Sequence, residues 1–258
     1  MPLTHYPLLI DTMARFALVA DARRYFLGYL WWVLEPLLYV AVFYFVFSQL
    51  LGTPQPDYLT FLIVGKLAFI WFSKSLNQAS NSIILNRGLI AQRNLPKALF
   101  PLAVVHEGLY KQIAVFILML SMVLLDGYGV SQVWLWLLPV ILAQYLLITA
   151  CALAAALIVC VQRDFVMVIN LGVVFMLFVS GVFWDIDAIS DPWLADVLLI
   201  ANPLAFLLEA YRQILMEGET PPVVHLLLVI AGSMAVSLLL LRVYQSANFW
   251  IAKRAMSL

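Results

Sequence analysis

Long apolar runs alternate with short polar breaks along this chain. A bilayer core about 30 Å thick needs about 20 apolar residues per helix. Runs of that order fall at 33–51, 58–76, 101–125, 133–160, 165–184 and 223–243. None alternates with period two, and lipid offers no partner to a free backbone group, so the pattern predicts six transmembrane helices rather than strands. Turn-forming clusters separate several of them: Gly52-Thr53-Pro54-Gln55-Pro56, Asp126-Gly127-Tyr128-Gly129 and Thr220-Pro221-Pro222. Trp31, Trp32, Trp71, Trp134, Trp136, Trp184, Trp193 and Trp250 lie near run ends, where interface aromatics belong.

Three further segments need a reading. Residues 1–30 are too polar to cross but carry Leu8, Leu9, Met13, Phe16 and Val19, which predicts an amphipathic helix on the membrane or on a partner. Its interruption by Asp11, Arg15, Asp21, Arg23 and Arg24 leaves no apolar core for a cleavable signal peptide. Residues 77–97 form a second polar element on the same side. Residues 198–216 are apolar, but they carry Glu209 and Arg212 and are broken by Asn202-Pro203. A crossing there would put Lys253 and Arg254 outside, against the rule that cytoplasmic loops retain Lys and Arg. The segment 185–216 is therefore read as an outer element, re-entrant or lying in the outer interface.

Charge supports that topology. Arg15, Arg23 and Arg24 precede the first run; Asp57 follows it; Arg87, Arg93 and Lys97 come next, then Asp126, then Arg163. An acidic stretch of Asp185, Asp187, Asp191, Asp196, Glu217 and Glu219 precedes the last run, and Lys253 and Arg254 follow it. Both termini are thus expected in the cytoplasm. The net charge of zero conceals this asymmetry. At 65% hydrophobic and 11% charged residues, the chain has too little polar surface for a soluble globule of 258 residues. The expectation is a single all-α integral membrane domain over 1–258. Cys151 and Cys160 share one run; about 13 Å apart along a helix and on opposite faces, they cannot pair.

Ionisable residues inside spans are the first functional candidates, because each is costly there unless paired or hydrated. Lys66 sits near mid-membrane in the second run, with Ser73 and Asn77 following on the same helical face. That stripe either lines a water-filled conduit or reflects a snorkelling lysine beside packed small polar residues. Glu107 and Lys111 form an i, i+4 pair that either neutralises itself or lies at a subunit seam or in the conduit wall. Tyr39 and Phe43 are among the aromatics that suit a sliding glycan or ordinary packing. No His-Glu-x-x-His helix, Gly-x-Ser-x-Gly elbow or phosphate loop occurs: around Gly65-Lys66, Thr60 replaces the first glycine and Leu67 the Ser/Thr. Asp185-Ile186-Asp187 has the form of a sugar-transferase metal pair but falls on the outer side, where nucleotide sugars are absent. With His5, His106 and His225 scattered, no metal site is expected, and the basic residues are too few for a nucleic-acid surface.

The stretch from Arg24 through Leu27, Gly28, Trp31 and Trp32 to Glu35-Pro36 resembles the entry to the first span in membrane subunits of bacterial polysaccharide ABC exporters. These are the capsule and O-antigen permeases of the type-2 exporter class. Asn86-Arg87-Gly88-Leu89-Ile90 with Arg93, Arg163-Asp164, Ser180-Gly181-Val182-Phe183 and Asn202-Pro203 match at corresponding spacing, so the likeness covers nearly the whole chain. The Glu-Pro and Asn-Arg-Gly-Leu-Ile features lean toward capsule exporters.

The resemblance implies a homodimer in the inner membrane, each copy recruiting a separate ATP-binding subunit that holds ATP and Mg. This chain would then be a transport subunit, not an enzyme. It implies a lipid-linked polysaccharide passing between the copies, handed on to periplasmic or outer-membrane export proteins. The segment 77–97 becomes the coupling element, with Arg87, Gly88, Leu89, Arg93 and Lys97 in a cleft of the ATPase and the N-terminal helix as a second contact. The 185–216 segment, with Trp184 at its edge, becomes the exit gate, with Asn202, Pro203, Glu209 and Arg212 as its candidate residues. Arg15, Arg23 and Arg24 near the inner surface would attract the phosphate of the lipid headgroup. Lys66 departs from the family's pattern at this depth. Rival readings are an exporter of a drug or small lipid, and a membrane enzyme acting on a lipid-linked sugar, for which only Asp11, Asp21 and Asp164 supply cytoplasmic acids.

Overall fold

The computed structural model describes residues 6–46, 57–186 and 188–257. His5, Phe47, the end of the first apolar run, the Gly52–Pro56 turn and Asp187 lie outside the described residues. All regular structure among those described is helical. The helices are α1 (Tyr6–Arg24), α2 (Trp31–Tyr44), α3 (Tyr58–Leu85), α4 (Arg87–Gln92), α5 (Leu99–Leu125), α6 (Leu137–Val161), α7 (Phe165–Val179), α8 (Pro192–Ala201), α9 (Pro203–Arg212), α10 (Val223–Ser246) and α11 (Asn248–Ser257). Single turns at Gly28–Leu30, Gln132–Trp136 and Gln213–Glu217 extend α2, α6 and α9.

Four elements are each long and apolar enough to cross a membrane: α3, α5, Gln132–Val161 and α10. Two bent pairs also pass together, Tyr6–Arg24 with Gly28–Val42 at 99° and Pro192–Ala201 with Pro203–Glu217 at 107°. The chain is thus a multi-pass membrane protein. The second bend falls at Asn202-Pro203, and its cause is local. Pro203 lacks the N–H that would continue α8, while the Asn202 side chain accepts from the N–H groups of Leu204 and Ala205 and starts α9. Asp191 caps α8 ahead of Pro192 in the same way.

Several boundaries differ from the sequence reading. The polar element expected over 77–97 begins as a continuation of α3, which stays helical to Leu85 because Ala79, Ser80, Ser82, Ile83 and Ile84 are buried. Only α4 and its flanking turns form the short cross-piece. Helix α7 stops at Val179, where Ser180 and a left-handed Gly181 (φ 67°) turn the chain inward, so residues 180–184 do not extend the span. At about 22 Å, α7 alone is shorter than the hydrocarbon core.

Helix α3 is the central member, packed against α2, α5, α6, α7 and α9; α6 packs against α10 and α1 against α5. The main apolar cluster follows α3, with Leu62, Leu67, Met119, Val140, Ile148 and Leu207 almost inaccessible. Buried amides cross-link it. Gln144 donates to the Ala68 carbonyl at 2.8 Å and accepts from the Tyr211 hydroxyl at 2.7 Å, joining α6, α3 and α9. A second cluster at one end of the bundle joins Ile83, Ile90, Phe100, Leu153, Cys160, Tyr244, Ile251 and Ala255.

The two ends differ in charge. Arg87, Arg93, Arg163, Lys253 and Arg254 lie at the end formed by α4, α11 and the α6–α7 turn. Asp57, Asp126, Asp185 and Asp191 lie at the opposite end or in the loops leading from it, and Asp196 lies in α8 beyond them. Contacts confirm the antiparallel arrangement: Thr60 donates to Asp126, the Tyr58 hydroxyl to the Phe183 carbonyl at 3.2 Å, and Arg254 to the Val161 carbonyl at 2.8 Å.

Candidate functional site

The basic end presents the first candidate surface. In the α4 cross-piece Arg87, Gly88, Leu89 and Arg93 are exposed, while Ile90 faces inward onto Ile251 and Ala255 of α11. Lys97 is separated from them. It is 2% exposed, its ammonium donates to the Leu95 carbonyl at 2.7 Å, and its N–H donates to Asn248 at 3.3 Å. Burial pushes that ammonium below the ordinary lysine range. Four of the five expected coupling residues therefore share a surface, and Lys97 ties the cross-piece to α11. Sequence reading missed α11, because its ten residues offer only two buried apolar positions.

A charged cleft lies deeper at the same end, between α1, α2, α3 and α5. The expected Glu107–Lys111 pair forms at 2.8 Å, but Lys111 also holds Asp21 of α1 at 2.7 Å. Asp21 accepts in addition from the Trp32 indole N–H at 3.1 Å, and the Lys111 ammonium sits 5.4 Å from the Trp32 ring. Burial raises the Asp21 carboxyl, but Lys111 and then Trp32 outweigh it and hold the group below its ordinary value. Glu35 pairs with Lys74 at 2.6 Å across the cleft. About three turns back toward the start of α1, Asp11 accepts from the Tyr110 hydroxyl and pairs with Arg15 at 2.9 Å, with His106 3.6 Å away. Tyr110 first and Arg15 second keep the Asp11 carboxyl below its usual range. Helix α1 is thus stapled to α5 at two points. Asp21 lies 90 positions from Lys111 and Asp11 99 from Tyr110, separations no local spacing rule can read.

Arg15, Arg23 and Arg24 are exposed on α1, Arg15 over the Tyr110 ring at 5.8 Å and Arg24 beside Tyr25 at 6.0 Å. The expected conduit stripe divides. Asn77 lines the charged cleft, whereas Ser73 turns its hydroxyl back onto the Ile70 carbonyl at 3.1 Å. Lys66 is 6% exposed and does not snorkel; its ammonium lies 5.5, 5.6 and 5.7 Å from the rings of Tyr39, Phe69 and Phe183. Tyr39 itself is 47% exposed on the outer side of α2, and the Phe43 side chain lies outside the described residues.

The third region is near the acidic end. Arg212, 1% exposed, donates to the carbonyls of Gly181 at 2.7 Å and Val182 at 3.3 Å, and approaches Glu209 at 3.5 Å. Its guanidinium stacks 3.5 Å from the Phe61 ring centre. Gly65 makes this possible, since a Cβ there would lie 2.5 Å from Arg212 Nη2. Asn202 also donates to Ser180 at 2.9 Å. Of the expected gate residues, Asn202, Glu209 and Arg212 therefore converge on the 180–183 turn. Pro203 begins α9 beside them, and Trp184 leans back to donate to the Phe178 carbonyl at 2.8 Å.

A bundle with a basic cross-piece at one end and a bent helical pair near the other has the form of a transporter membrane subunit. Residues 9–216 match the ABC-2 type transporter family, and the chain belongs to it. It is similar to an O-antigen export system permease protein of Klebsiella pneumoniae, 29% identical over 196 residues and 74% of each chain. It is also similar to one of Myxococcus xanthus, 28% identical over 223 residues, 85% of this chain and 84% of that one. The polysialic acid transport protein of Escherichia coli is 24% identical over 201 residues, 76% of each chain.

Proposed function

We propose that this chain is the transmembrane subunit of an ATP-driven exporter that moves a lipid-linked cell-surface polysaccharide across the inner membrane. The observation that carries the reading is the likeness, along about three quarters or more of the chain, to permeases of O-antigen and polysialic acid. Two copies work together with two copies of a separate ATP-binding subunit, which supplies ATP, Mg and hydrolysis. The exposed face of α4 seats on that subunit through Arg87, Leu89 and Arg93, and α1 makes a second contact. The basic end is cytoplasmic, which puts both termini inside. The glycan passes between the copies along α2, where Tyr39 is exposed, and Arg15, Arg23 and Arg24 draw in the phosphate of its lipid. The α8–α9 pair, pinned by Arg212, forms the outer gate, beyond which envelope export proteins receive the product.

The test is genetic and biochemical. Deleting the chain should trap glycan inside the cell, and the tagged chain should copurify with an ATPase. Arg87→Glu with Arg93→Glu should abolish stimulation of that ATPase and reduce export at least about tenfold with the permease level unchanged, since two charges are reversed at the contact. Glycan reaching the surface normally in the deletion strain would end the reading.

A further inference from the structure

Most of the charged cleft is internally paired, but one side of it is not. The cavity between α2, α3 and α5 has a volume of about 340 Å³. Three buried polar atoms in its wall, Trp71 Nε1, Ser75 Oγ and Asn77 Oδ1, have no hydrogen-bond partner among the described residues. Trp71 and Ser75 are 3% and 2% exposed. Buried polar groups normally find partners, and a group left alone costs about 1–3 kcal/mol. Here the three lie within two turns of α3 and line one cavity. Gly108 of α5 keeps the space beside them: a Cβ there would lie 2.5 Å from Ser75 Oγ and 3.5 Å from Trp71 Nε1.

The chemistry of the wall selects the occupant. Its two acids are held by its two lysines, Glu35 by Lys74 at 2.6 Å and Asp21 by Lys111 at 2.7 Å, and Lys111 also holds Glu107 at 2.8 Å, so a phosphate finds no surplus of positive charge; the described residues bring no three metal-binding side chains together there. What remains is an indole N–H donor, a hydroxyl that donates and accepts, an amide oxygen acceptor, and the indoles of Trp31 and Trp32. A neutral ring with hydroxyls around its edge and an apolar C–H face satisfies all of these. The volume lies at the small end of ligand pockets, with room for about one or two such rings and not a chain. We propose that this cavity binds a sugar unit of the exported glycan within each protomer, apart from any passage between the copies. The proposal rests on the exporter reading above and adds a recognition subsite to it.

The experiment uses the full-length chain in inside-out membrane vesicles, with Cys151→Ala and Cys160→Ala removing the native thiols. Ser75→Cys is labelled with N-ethylmaleimide in vesicles from cells making the glycan and from cells blocked at its first sugar-transfer step. Labelling should be at least about fivefold slower when the cell's own lipid-linked glycan is present, while an exposed Asn94→Cys control labels equally in both. Equal rates at Ser75→Cys in both vesicles, or no labelling in either, would overturn the proposal. A second variant, Trp71→Phe, removes only the unpartnered N–H and keeps the ring against Phe116. Export should fall roughly two- to tenfold, the worth of one hydrogen bond; a purely structural role predicts unchanged export and unchanged or higher thermal stability. Ser75→Ala serves the same purpose if Trp71→Phe does not accumulate. If deletion of the chain traps glycan yet Ser75→Cys is never protected, only the subsite falls; if deletion traps nothing, the exporter reading falls first.

Discussion

Gly65→Ala separates two physical effects by sign. In a helix interior, alanine is favoured over glycine by about 0.8–1 kcal/mol, so propensity alone predicts stabilisation. The structure predicts the opposite. The new Cβ would lie 2.5 Å from Arg212 Nη2, closer than packed atoms come. A side-chain terminus can often move aside, but this one is 1% exposed, bonded to two carbonyls and stacked on Phe61. Overpacking of this kind costs about 1–3 kcal/mol. Displacing the guanidinium also weakens its charged hydrogen bond to Gly181, worth about 1.5–3 kcal/mol. Set against the propensity gain, the net is a loss of about 2 kcal/mol. For a chain of this size each kcal/mol shifts the melting midpoint by about 2–4 °C, so a fall of about 4–8 °C is expected. The assay is the fraction of detergent-purified permease that stays monodisperse after heating. Gly232→Ala is the control, since a Cβ there meets nothing within 4 Å and should leave the midpoint unchanged or higher. If Gly65→Ala matches that control, the Arg212 seal does not exist as described.

Two further predictions concern the other end. Asp21 is held below its ordinary pKa, so the attachment of α1 that it provides is complete at neutral pH and is lost as pH falls below about 4. Asp21→Asn should remove that acid-dependent step, seen as faster proteolysis of α1, and cost about 1 kcal/mol at neutral pH, because Lys111 retains Glu107. Ile251 is fully buried under α4, and Ile251→Ala should cost about 2–4 kcal/mol and loosen the cross-piece; faster hydrogen exchange over residues 87–97 would register it, and unchanged exchange would contradict the bracing role of α11.

The membrane class and several break points were legible in the residues themselves. The Asn202-Pro203 break appears where it was read, because a missing N–H and a side-chain cap act within three residues. The Glu107–Lys111 pair is likewise local. The boundary between span and cross-piece was not legible. Asn77 and Ser80 fall in the segment whose polarity suggests a separate element, yet they continue α3, whose neighbours half-bury the first and fully bury the second. Lys97 reads as one more exposed cation beside Arg93, and only its contact with Asn248 withdraws it.

Composition and spacing alone determined that this chain lives in a membrane, that its spans are helical, and that its two ends differ in charge. Those are consequences of solvation and of backbone hydrogen bonding, which each segment experiences independently of the others. Tertiary structure alone decided that α1 is stapled to α5, that Arg212 fits against Gly65, and that Trp71, Ser75 and Asn77 line one cavity. These depend on which helices become neighbours, and helix packing brings together side chains that no periodicity along the chain connects.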